Sequence, residues 1–244
     1  MFDLISISIQ MINLIQKELQ DLASPDRKKS IEFFFKHDIK AYGVSNPDTQ
    51  KIGRSIINNL KSENRSKMEI WNLAEKLFAN GFIEESLLAC QIVYAFKKMY
   101  VKEDFKVFES WVSKYIDNWA ECDTFCNKVI GEMLFLFPDL VNDMKTWALS
   151  ENLWVRRASA VSFIYPAKKN MFVEDQWEIA LLLLEDKEDM VQKGYGWMLK
   201  VLSQKRQNDV FDFVQRYKAR MPRTALRYAI EKMPAQLKKQ AMEK

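Results

Sequence analysis

Two tryptophans and an aspartate are the side chains of this sequence whose types and spacing are best suited to chemistry. Trp119 and Asp123 are four positions apart in a helical segment, so their indole and carboxylate share one helix face. An indole face attracts a cation, and a nearby carboxylate stabilises one. Trp197 lies in another helical segment with two glycines, Gly194 and Gly196. Because glycine costs a helix interior about 1 kcal/mol relative to alanine, the pair predicts that another group approaches closely there.

These residues also have commoner roles, which their spacing alone leaves open. Tryptophans usually pack in a core, and an aspartate on a helix is usually exposed or caps the helix. The remaining tryptophans are predicted to pack between helices: Trp71, Trp111, Trp147, Trp154 and Trp177.

Histidine and cysteine are scarce, which excludes several classes of active site. The chain has 1 histidine, His37, and 3 cysteines, Cys90, Cys122 and Cys126. A single histidine rules out histidine-rich metal sites and argues against a histidine-based triad, and the cysteines lack zinc-cluster spacing. An odd, sparse cysteine count also argues against a disulfide framework, so we predict a reducing, cytoplasmic setting with Cys122 and Cys126 as small core residues. We expect no metal and no cofactor.

Basic residues are concentrated toward the end of the sequence. The formal net charge is only +4, but residues 200–244 contain 12 Lys and Arg against 4 Asp and Glu, a local net charge of +8. Three basic pairs stand out along the chain: Lys51 with Arg54, Arg156 with Arg157, and Arg223 with Arg227. A phosphate backbone is one partner for such pairs, while solvated helix faces and surface ion pairs explain them as well.

The periodicity of apolar residues predicts helices almost throughout, with apolar side chains three and four positions apart. With 6 Gly and 6 Pro in 244 residues, turn formers are too few for a hairpin-rich β fold. About a dozen helices of roughly 10 to 18 residues fit a stack of antiparallel helix pairs better than a four-helix bundle. We therefore predict an all-α solenoid of HEAT-like helix pairs, an ARM/HEAT-like superhelix with a concave basic groove.

This solenoid is predicted to form a single domain over residues 1–244, in which 1–25 is an N-terminal helix at its periphery. Asp3 stands where a signal peptide would be basic. The apolar run at 180–184 falls far short of the roughly 18 residues that a membrane span needs. We expect no membrane association.

Five short stretches occur in an order that is more specific than any one of them. They are Tyr42-Gly43-Val44 with Pro47, Trp119-x-x-x-Asp123, Asn152-Leu153-Trp154-Val155-Arg156-Arg157, Gly196-Trp197 followed by Leu199-Lys200, and Arg223-Thr224-Ala225-Leu226-Arg227-Tyr228-Ala229-Ile230. In this order, over about residues 26–233, the sequence resembles the AlkD-type DNA alkylation repair family. Members of that family are alkylpurine DNA glycosylases built of HEAT-like repeats.

The resemblance implies a role for each candidate residue. Trp119 and Trp197 would be the two aromatic walls of an active cleft, and Asp123 would be the catalytic carboxylate. Arg157, with Arg156 beside it, would contact the DNA backbone. The implied reaction hydrolyses the N-glycosidic bond of positively charged N3- or N7-alkylpurines in duplex DNA, in an open cleft without a deep pocket for a flipped base.

This reaction suits a carboxylate between aromatic rings and requires neither metal nor histidine. The positive charge of an alkylated purine already weakens its glycosidic bond, so no leaving group has to be protonated. A carboxylate stabilises the cationic sugar and can orient the attacking water, and each indole adds about 0.5–2 kcal/mol of cation–π attraction.

Two other functions stay open from the sequence alone. One is a non-catalytic member of the same family that binds unusual or branched DNA, and the other is a HEAT-type scaffold for protein interactions. The presence of Trp119, Asp123 and Trp197 together argues against the first, and the basic end argues against the second. We expect a monomer that binds double-stranded DNA containing alkylated purines, in the cytoplasm and associated with the nucleoid when bound.

Overall fold

The computed structural model describes residues 2–35 and 38–243, with side chains from residue 10 onward. His37 lies outside the described residues. The chain forms two compact units: unit 1 is Met1–Val101 with Lys114–Thr124, and unit 2 is Lys102–Ser113 with Phe125–Lys244. That the chain is one continuous solenoid domain stays a prediction.

The described residues are helical almost throughout and contain no β-strand, which confirms the predicted all-α class. The α-helices are α1 Phe2–Asp21, α2 Pro25–Phe34, α3 Asn46–Ser62, α4 Lys67–Asn80, α5 Ile83–Ala95, α6 Asp104–Lys114, α7 Trp119–Phe125, α8 Gly131–Leu136, α9 Val141–Trp147, α10 Leu153–Val161, α11 Ile164–Lys168, α12 Val173–Leu182, α13 Asp189–Leu202, α14 Gln207–Tyr217, α15 Arg223–Ala229 and α16 Ala235–Met242. Short 3₁₀ turns occupy Lys97–Met99 and Pro138–Leu140, and Cys126–Ile130 is a π-helix. No helix in the described part of the chain is long and apolar enough to cross a membrane.

Local sequence signals begin and end many of these helices. Ser45 caps α3 by accepting a hydrogen bond from the backbone of Asp48 at 3.2 Å. Ser66 and Glu69 form a capping box at the start of α4. Gly81 ends α4 with φ of 74°, in the left-handed region that glycine adopts most easily.

In unit 1, α3 and α4 both pack on α5, and α1 packs on α4. Ile15 and Leu19 of α1 are fully buried, so the second half of this helix belongs to the core of the unit. The first 25 residues are therefore not peripheral as a whole.

In unit 2, α13 packs against both α10 and α15. Trp111 is buried beside Phe108 and Phe125, with ring centroids 5.4 and 6.2 Å from theirs. Trp147 is also buried, and its indole N–H donates to Glu109 at 2.8 Å. The packing role predicted for these two tryptophans is confirmed.

The other side chains predicted to pack in the core are buried to different degrees. Trp71 is buried in unit 1, whereas Trp154 and Trp177 of unit 2 are half-buried. Cys122 and Cys126 are fully buried free thiols, as predicted for small core residues.

The apolar periodicity of residues 120–136 predicts one helix, but this segment is interrupted in the structure. The α-helical pattern gives way to the π-helix Cys126–Ile130 before α8 begins at Gly131. A π segment inserts an extra residue per turn and often lies near functional sites, and here it follows directly after the segment that contains Asp123. The periodicity of apolar residues does not reveal such a local change of hydrogen bonding.

Candidate functional site

Trp119 is the first residue of α7. The side chain of Asn118 accepts a hydrogen bond from the backbone of Glu121 at 3.0 Å and so caps this helix. The Trp119 side chain remains 37% exposed. Asp123, half-buried, follows one turn later in the same helix. The α-helical conformation gives Trp119 and Asp123 the shared face that their spacing predicted.

An open cavity of about 530 Å³ lies beside Trp119, entirely within unit 1. It is lined by Arg27, Ile31, Phe34, Phe35, Val44, Ser45, Asn46, Thr49, Ile83, Glu84, Leu87, Trp119 and Ala120. Most of these side chains are apolar, and the volume lies in the range of small-molecule sites. The cavity has room for an aromatic ring system against the indole.

Phe35 stacks on Trp119 at the edge of this cavity. Their ring centroids are 5.5 Å apart and the ring planes differ by 17°. The stack covers part of the indole and orients it, because two parallel rings at this distance attract each other. A ligand that approaches Trp119 therefore meets the exposed part of the indole or has to displace Phe35.

The buried carboxylate of Glu84 holds the loop that forms one wall of the cavity. It accepts hydrogen bonds from three successive backbone amides, those of Tyr42, Gly43 and Val44, at 3.0, 2.8 and 3.1 Å. Gly43 has φ of 86°, and a Cβ there would lie 2.3 Å from the carbonyl oxygen of Ser24. Glu84 thus clamps the Tyr42-Gly43-Val44 stretch through its backbone amides. The close approach to Ser24 and the positive φ require glycine at the centre of this stretch.

Glu85, the next residue, ties the same loop to α1 and α4. Its carboxylate accepts hydrogen bonds from the Tyr42 hydroxyl at 2.6 Å, from Asn80 at 2.6 Å and from Gln16 at 3.3 Å. Burial, together with the Glu85 carboxylate, raises the pKa of Tyr42 well above its usual range. The phenol therefore stays protonated and keeps its hydrogen bond at any physiological pH.

Lys51 and Arg54 lie on the exposed side of α3 in unit 1. Neither forms an ion pair with another residue that the structure describes. Arg65, from the same basic stretch of sequence, differs because it binds Glu63 and Glu69, each at 2.8 Å. Lys51 and Arg54 are accordingly exposed cations that remain candidates for contact with an external phosphate.

Trp197 lies in α13 of unit 2 and is half-buried. A Cβ on the preceding Gly196 would lie 2.7 Å from the Cβ of Tyr228 and 2.8 Å from the carbonyl oxygen of Ala225, both in α15. A Cβ on Gly194 would lie 3.1 Å from Cγ of Arg157. The close approach predicted from the two glycines is present, and the approaching groups belong to the protein itself.

Arg156 and Arg157 are engaged inside unit 2. Arg156 binds the carboxylate of Asp186 at 2.6 Å and the carbonyl oxygens of Ser150 and Glu151 at 2.8 and 2.9 Å. Arg157 is only 4% exposed, and its guanidinium donates to the carbonyl oxygen of Met190. Contact with DNA stays a prediction for both, and Arg157 would have to leave its buried position to make it.

In the basic C-terminal segment, several cations bind other residues of unit 2. Lys200 pairs with Glu231 at 3.0 Å, and Arg220 pairs with Glu185 at 2.8 Å. Arg223 donates to the carbonyl oxygen of Met242 at 3.3 Å. Part of the net charge of this segment is therefore neutralised within the unit.

Arg227 in α15 differs, since it is exposed and has no ion pair with the described residues. Glu231, four residues later and a possible partner for Arg227, binds Lys200 instead. Arg227 and the exposed Arg223 remain candidates for phosphate contact.

The comparisons with known proteins agree with the resemblance. The profile of the family described as "DNA alkylation repair enzyme" matches residues 15–233. The chain belongs to this family. The family predicted from five short stretches is therefore confirmed, and membership supports a role in DNA repair.

Two solved structures are similar to this member of the DNA alkylation repair family. A predicted DNA alkylation repair enzyme from Enterococcus faecalis has a TM-score of 0.78 at 16% identity, over 87% of this chain and 97% of that one. The protein smu.31 from Streptococcus mutans UA159 has a TM-score of 0.54 at 18% identity, over 76% of this chain and 98% of that one. These likenesses show a shared fold. None of the curated proteins matches the sequence.

The candidate residues are divided between the two units of this family member. Trp119, Asp123, Lys51 and Arg54 belong to unit 1, and Trp197 belongs to unit 2 with the candidate arginines after residue 150. That Trp119 and Trp197 are two walls of one cleft stays a prediction. Within the part of the chain that the structure describes, no group of three His, Cys, Asp or Glu side chains is placed to hold a metal ion.

Three residues of the site region were missed from the sequence. Phe35 lies in a run of three phenylalanines at the end of α2, a signal that could have been followed. Glu84 lies in the first turn of α5, where an acid commonly complements the helix dipole, so its residue type gives no sign of its hydrogen bonds to the loop. Glu121, between Trp119 and Asp123, is buried, and its Oε2 has no hydrogen-bond partner among the described residues.

Proposed function

We propose that this chain is a DNA glycosylase that hydrolyses the N-glycosidic bond of positively charged N3- or N7-alkylpurines in duplex DNA. One observation carries the proposal. In a member of the DNA alkylation repair family, an indole remains 37% exposed at an open cavity, and a carboxylate follows one turn later in the same helix. This pairing suits a cationic base attached to a sugar that becomes cationic as the bond breaks.

In this mechanism Trp119 binds the alkylated base. The exposed part of its indole contacts the positive ring, and Phe35 stacks on the indole and orients it. A neutral base gains stacking only, whereas the cationic base also gains electrostatic attraction to the ring. Trp119 thereby favours alkylated over normal purines.

Asp123 acts on the sugar. As the bond between C1′ and the purine nitrogen breaks, both of its electrons pass to the base, which becomes neutral, and the sugar becomes an oxocarbenium ion. The Asp123 carboxylate stabilises that ion and orients a water molecule, which adds to C1′ and passes a proton to that carboxylate. The products are the free alkylpurine and an abasic site.

The rest of the proposed site binds DNA. Trp197 is assigned to the second aromatic wall, on the family pattern. The proposed phosphate contacts are Lys51, Arg54, Arg156, Arg157, Arg223 and Arg227. The exposure of Lys51, Arg54 and Arg227 supports their assignment most directly.

The experiment incubates the protein with a duplex that contains 7-methylguanine and identifies released base by chromatography. Unmodified duplex and the Asp123→Asn variant are the controls. We expect free 7-methylguanine from the parent protein alone. Tight binding of the duplex without base release would instead identify a non-catalytic DNA-binding member of the family.

A further inference from the structure

A second cavity, of about 420 Å³, lies in a groove between α12 and α14, and all of the residues that line it belong to unit 2. Each helix turns one face to it, because the lining residues recur at helical spacing: Trp177 and Leu181 in α12, Phe213 and Tyr217 in α14. The volume lies in the range of small-molecule sites. This α12–α14 groove is separate from the cavity beside Trp119, which lies within unit 1.

Three aromatic rings form the apolar part of the α12–α14 groove. The Phe213 ring is buried and stacks on Trp177, with 5.3 Å between their centroids and 23° between their planes. It also contacts Tyr217, at 4.8 Å and 50°. Phe213 therefore orients two half-buried rings that line the groove. A flat ligand gains stacking on such rings, and a cation gains electrostatic attraction to them.

The charged side chains that line the groove favour a cationic ligand. They are Arg206 and Arg216 against Glu174, Asp209 and Asp212, two cations against three anions, or a net charge of −1. Arg206 is engaged, because it pairs with Asp209 at 3.4 Å and donates to the side chain of Asn170 at 2.9 Å. Glu174, Asp212 and Arg216 are exposed and form no ion pair with the described residues.

The charged residues around the groove leave this balance unchanged. Asp175 and Glu178, the other acids of α12, both bind Lys145. Lys205 and Lys218 flank α14 outside the lining of the groove, and Lys218 donates to a backbone carbonyl of α16 at 3.3 Å. A phosphate in the groove would meet more carboxylates than guanidinium groups, so a nucleic-acid backbone is a poor occupant.

The turn that precedes α12 is strained beside the groove. Asn170 and Phe172 have φ of 56° and 54°, and a bulky aromatic residue rarely adopts this left-handed conformation. Gln176 is fully buried and holds the turn by donating to the carbonyl oxygen of Met171 at 2.7 Å. Strain of this kind persists where the surroundings hold it and is frequent at ligand sites. Here it fixes the start of α12, which contains Glu174.

The three exposed charges define the chemistry of the ligand. The carboxylates of Glu174 and Asp212 need hydrogen-bond donors, whereas the guanidinium of Arg216 needs an acceptor. A simple ammonium ion offers no acceptor. A guanine base offers two donors, N1–H and the N2 amino group, beside the acceptor O6, and alkylation at N7 makes its ring a planar cation.

We propose that the α12–α14 groove binds an N7-alkylated guanine nucleoside as a free molecule. Its cationic ring stacks on Trp177 beside Tyr217. Glu174 and Asp212 accept hydrogen bonds from N1 and N2 of the base, and Arg216 donates to O6. A ligand charge of +1 balances the net charge of the groove. The inference goes beyond the proposed function and does not depend on it, because binding in this groove requires no cleavage of DNA.

The test titrates the protein with N7-methylguanosine at pH 6, where the nucleoside is cationic, by isothermal titration calorimetry. Guanosine is the neutral matched ligand, and N-acetyl-arginine amide represents an arginine side chain of a protein partner. The groove variants are Trp177→Leu and the double variant Glu174→Gln with Asp212→Asn. Glu178→Gln is the matched control, because Glu178 is an exposed acid of the same helix outside the groove. Trp119→Leu reports any binding in the cavity of unit 1.

We expect the parent protein to bind N7-methylguanosine about 2- to 30-fold more tightly than guanosine, the value of one cation–π contact. The double variant should bind N7-methylguanosine about 2- to 30-fold more weakly, the effect of losing two exposed charge pairs. Glu178→Gln and Trp119→Leu should bind in the groove like the parent. Trp177→Leu should lose the preference for the cation, and a thermal melt checks that it is folded. If it is not, the double variant decides, because both of its positions are exposed.

The inference is wrong if the parent shows no saturable binding of N7-methylguanosine. It is also wrong if binding is lost in Trp119→Leu and unchanged in the double variant, since the nucleoside then occupies the cavity of unit 1. Binding of N-acetyl-arginine amide in place of the nucleoside, abolished in the double variant, would instead identify a site for an arginine of a partner protein. Release of base from 7-methylguanine duplex, measured in parallel, tests the proposed glycosylase separately, since either result is compatible with a nucleoside in the groove.

Discussion

The phenyl ring of Phe35 lies nearly parallel to the indole of Trp119, with 17° between their planes and 5.5 Å between their centroids. The two residues are far apart in sequence and come together only through the fold of unit 1. The stack holds the indole at the cavity edge and orients it. It also makes Trp119 part of an aromatic surface and not a solitary ring.

Replacing either candidate tryptophan should affect cationic bases most. Trp119→Leu and Trp197→Leu keep apolar bulk and remove the π-face, so excision of 7-methylguanine should slow about 3- to 30-fold for each. Affinity for a duplex with the neutral isostere 7-deaza-7-methylguanine should fall less. Thermal melts run beside the assays check the alternative, since severe unfolding of both variants would indicate core residues.

Asp123→Asn preserves the size of the side chain and removes its charge. We expect excision of 7-methylguanine to fall at least about 100-fold, the equivalent of roughly 3 kcal/mol of lost transition-state stabilisation. The melting temperature should change little, and affinity for undamaged DNA should hold or rise because an anion is removed from the proposed DNA-binding surface. Excision at the parent rate would show that Asp123 is not the catalytic group.

Two arginines are expected to respond differently to replacement by alanine. Arg227 is exposed, so Arg227→Ala should reduce the slope of log K against log salt by about 0.9, the value of one phosphate contact, at unchanged stability. Arg157 is 4% exposed and hydrogen-bonded to Met190, so Arg157→Ala should lower the free energy of unfolding by about 1–3 kcal/mol. A flatter salt slope with unchanged stability for Arg157→Ala would support the DNA contact predicted from the sequence.

Alanine should be tolerated better at position 194 than at position 196. In Gly196→Ala the new Cβ would lie 2.8 Å from the backbone oxygen of Ala225, which cannot move without shifting α15. The strain should cost about 1–3 kcal/mol and exceed the gain of about 1 kcal/mol in helix propensity. Gly194→Ala is the matched control, since its Cβ would meet Cγ of Arg157 at 3.1 Å, a contact that a shift of a few tenths of an ångström relieves. Denaturant unfolding should therefore show a lower midpoint for Gly196→Ala than for Gly194→Ala.

Glu121 should make stability depend on pH. Burial raises the pKa of its carboxyl to about 7, with the Asp117 carboxylate adding to the rise and Ser86 and Asn118 opposing it. Because this pKa is higher in the folded than in the unfolded chain, the folded protein binds the proton more tightly. The contribution of this protonation to the free energy of unfolding is fully present below about pH 4.5 and is lost as pH rises through about 7.

Glu121→Gln imitates the protonated carboxyl and tests this dependence. The variant should be close to the parent at pH 5 and more stable by up to about 3 kcal/mol at pH 8, as measured by denaturant unfolding at both values. An equal stability difference at the two pH values would show that Glu121 does not titrate in this range.

The sequence by itself determined most of the helices and the family, because both depend on local signals. Ser45 and the Ser66–Glu69 capping box begin their helices through hydrogen bonds within one turn. The spacing of Trp119 and Asp123 also fixes their shared face once that segment is helical. Such patterns are complete within a few neighbouring residues, so they can be read without the fold.

Only the tertiary structure decided which groups surround these residues. The glycines of α13 predicted a close neighbour, but its identity as α15 and the Arg157 side chain depends on packing between helices. The burial of Arg157, the stack of Phe35 on Trp119 and the clamp formed by Glu84 likewise join residues distant in sequence. Residue type and periodicity show which side of a helix is apolar, but the free energy of a contact depends on the partner that the folded chain brings to it.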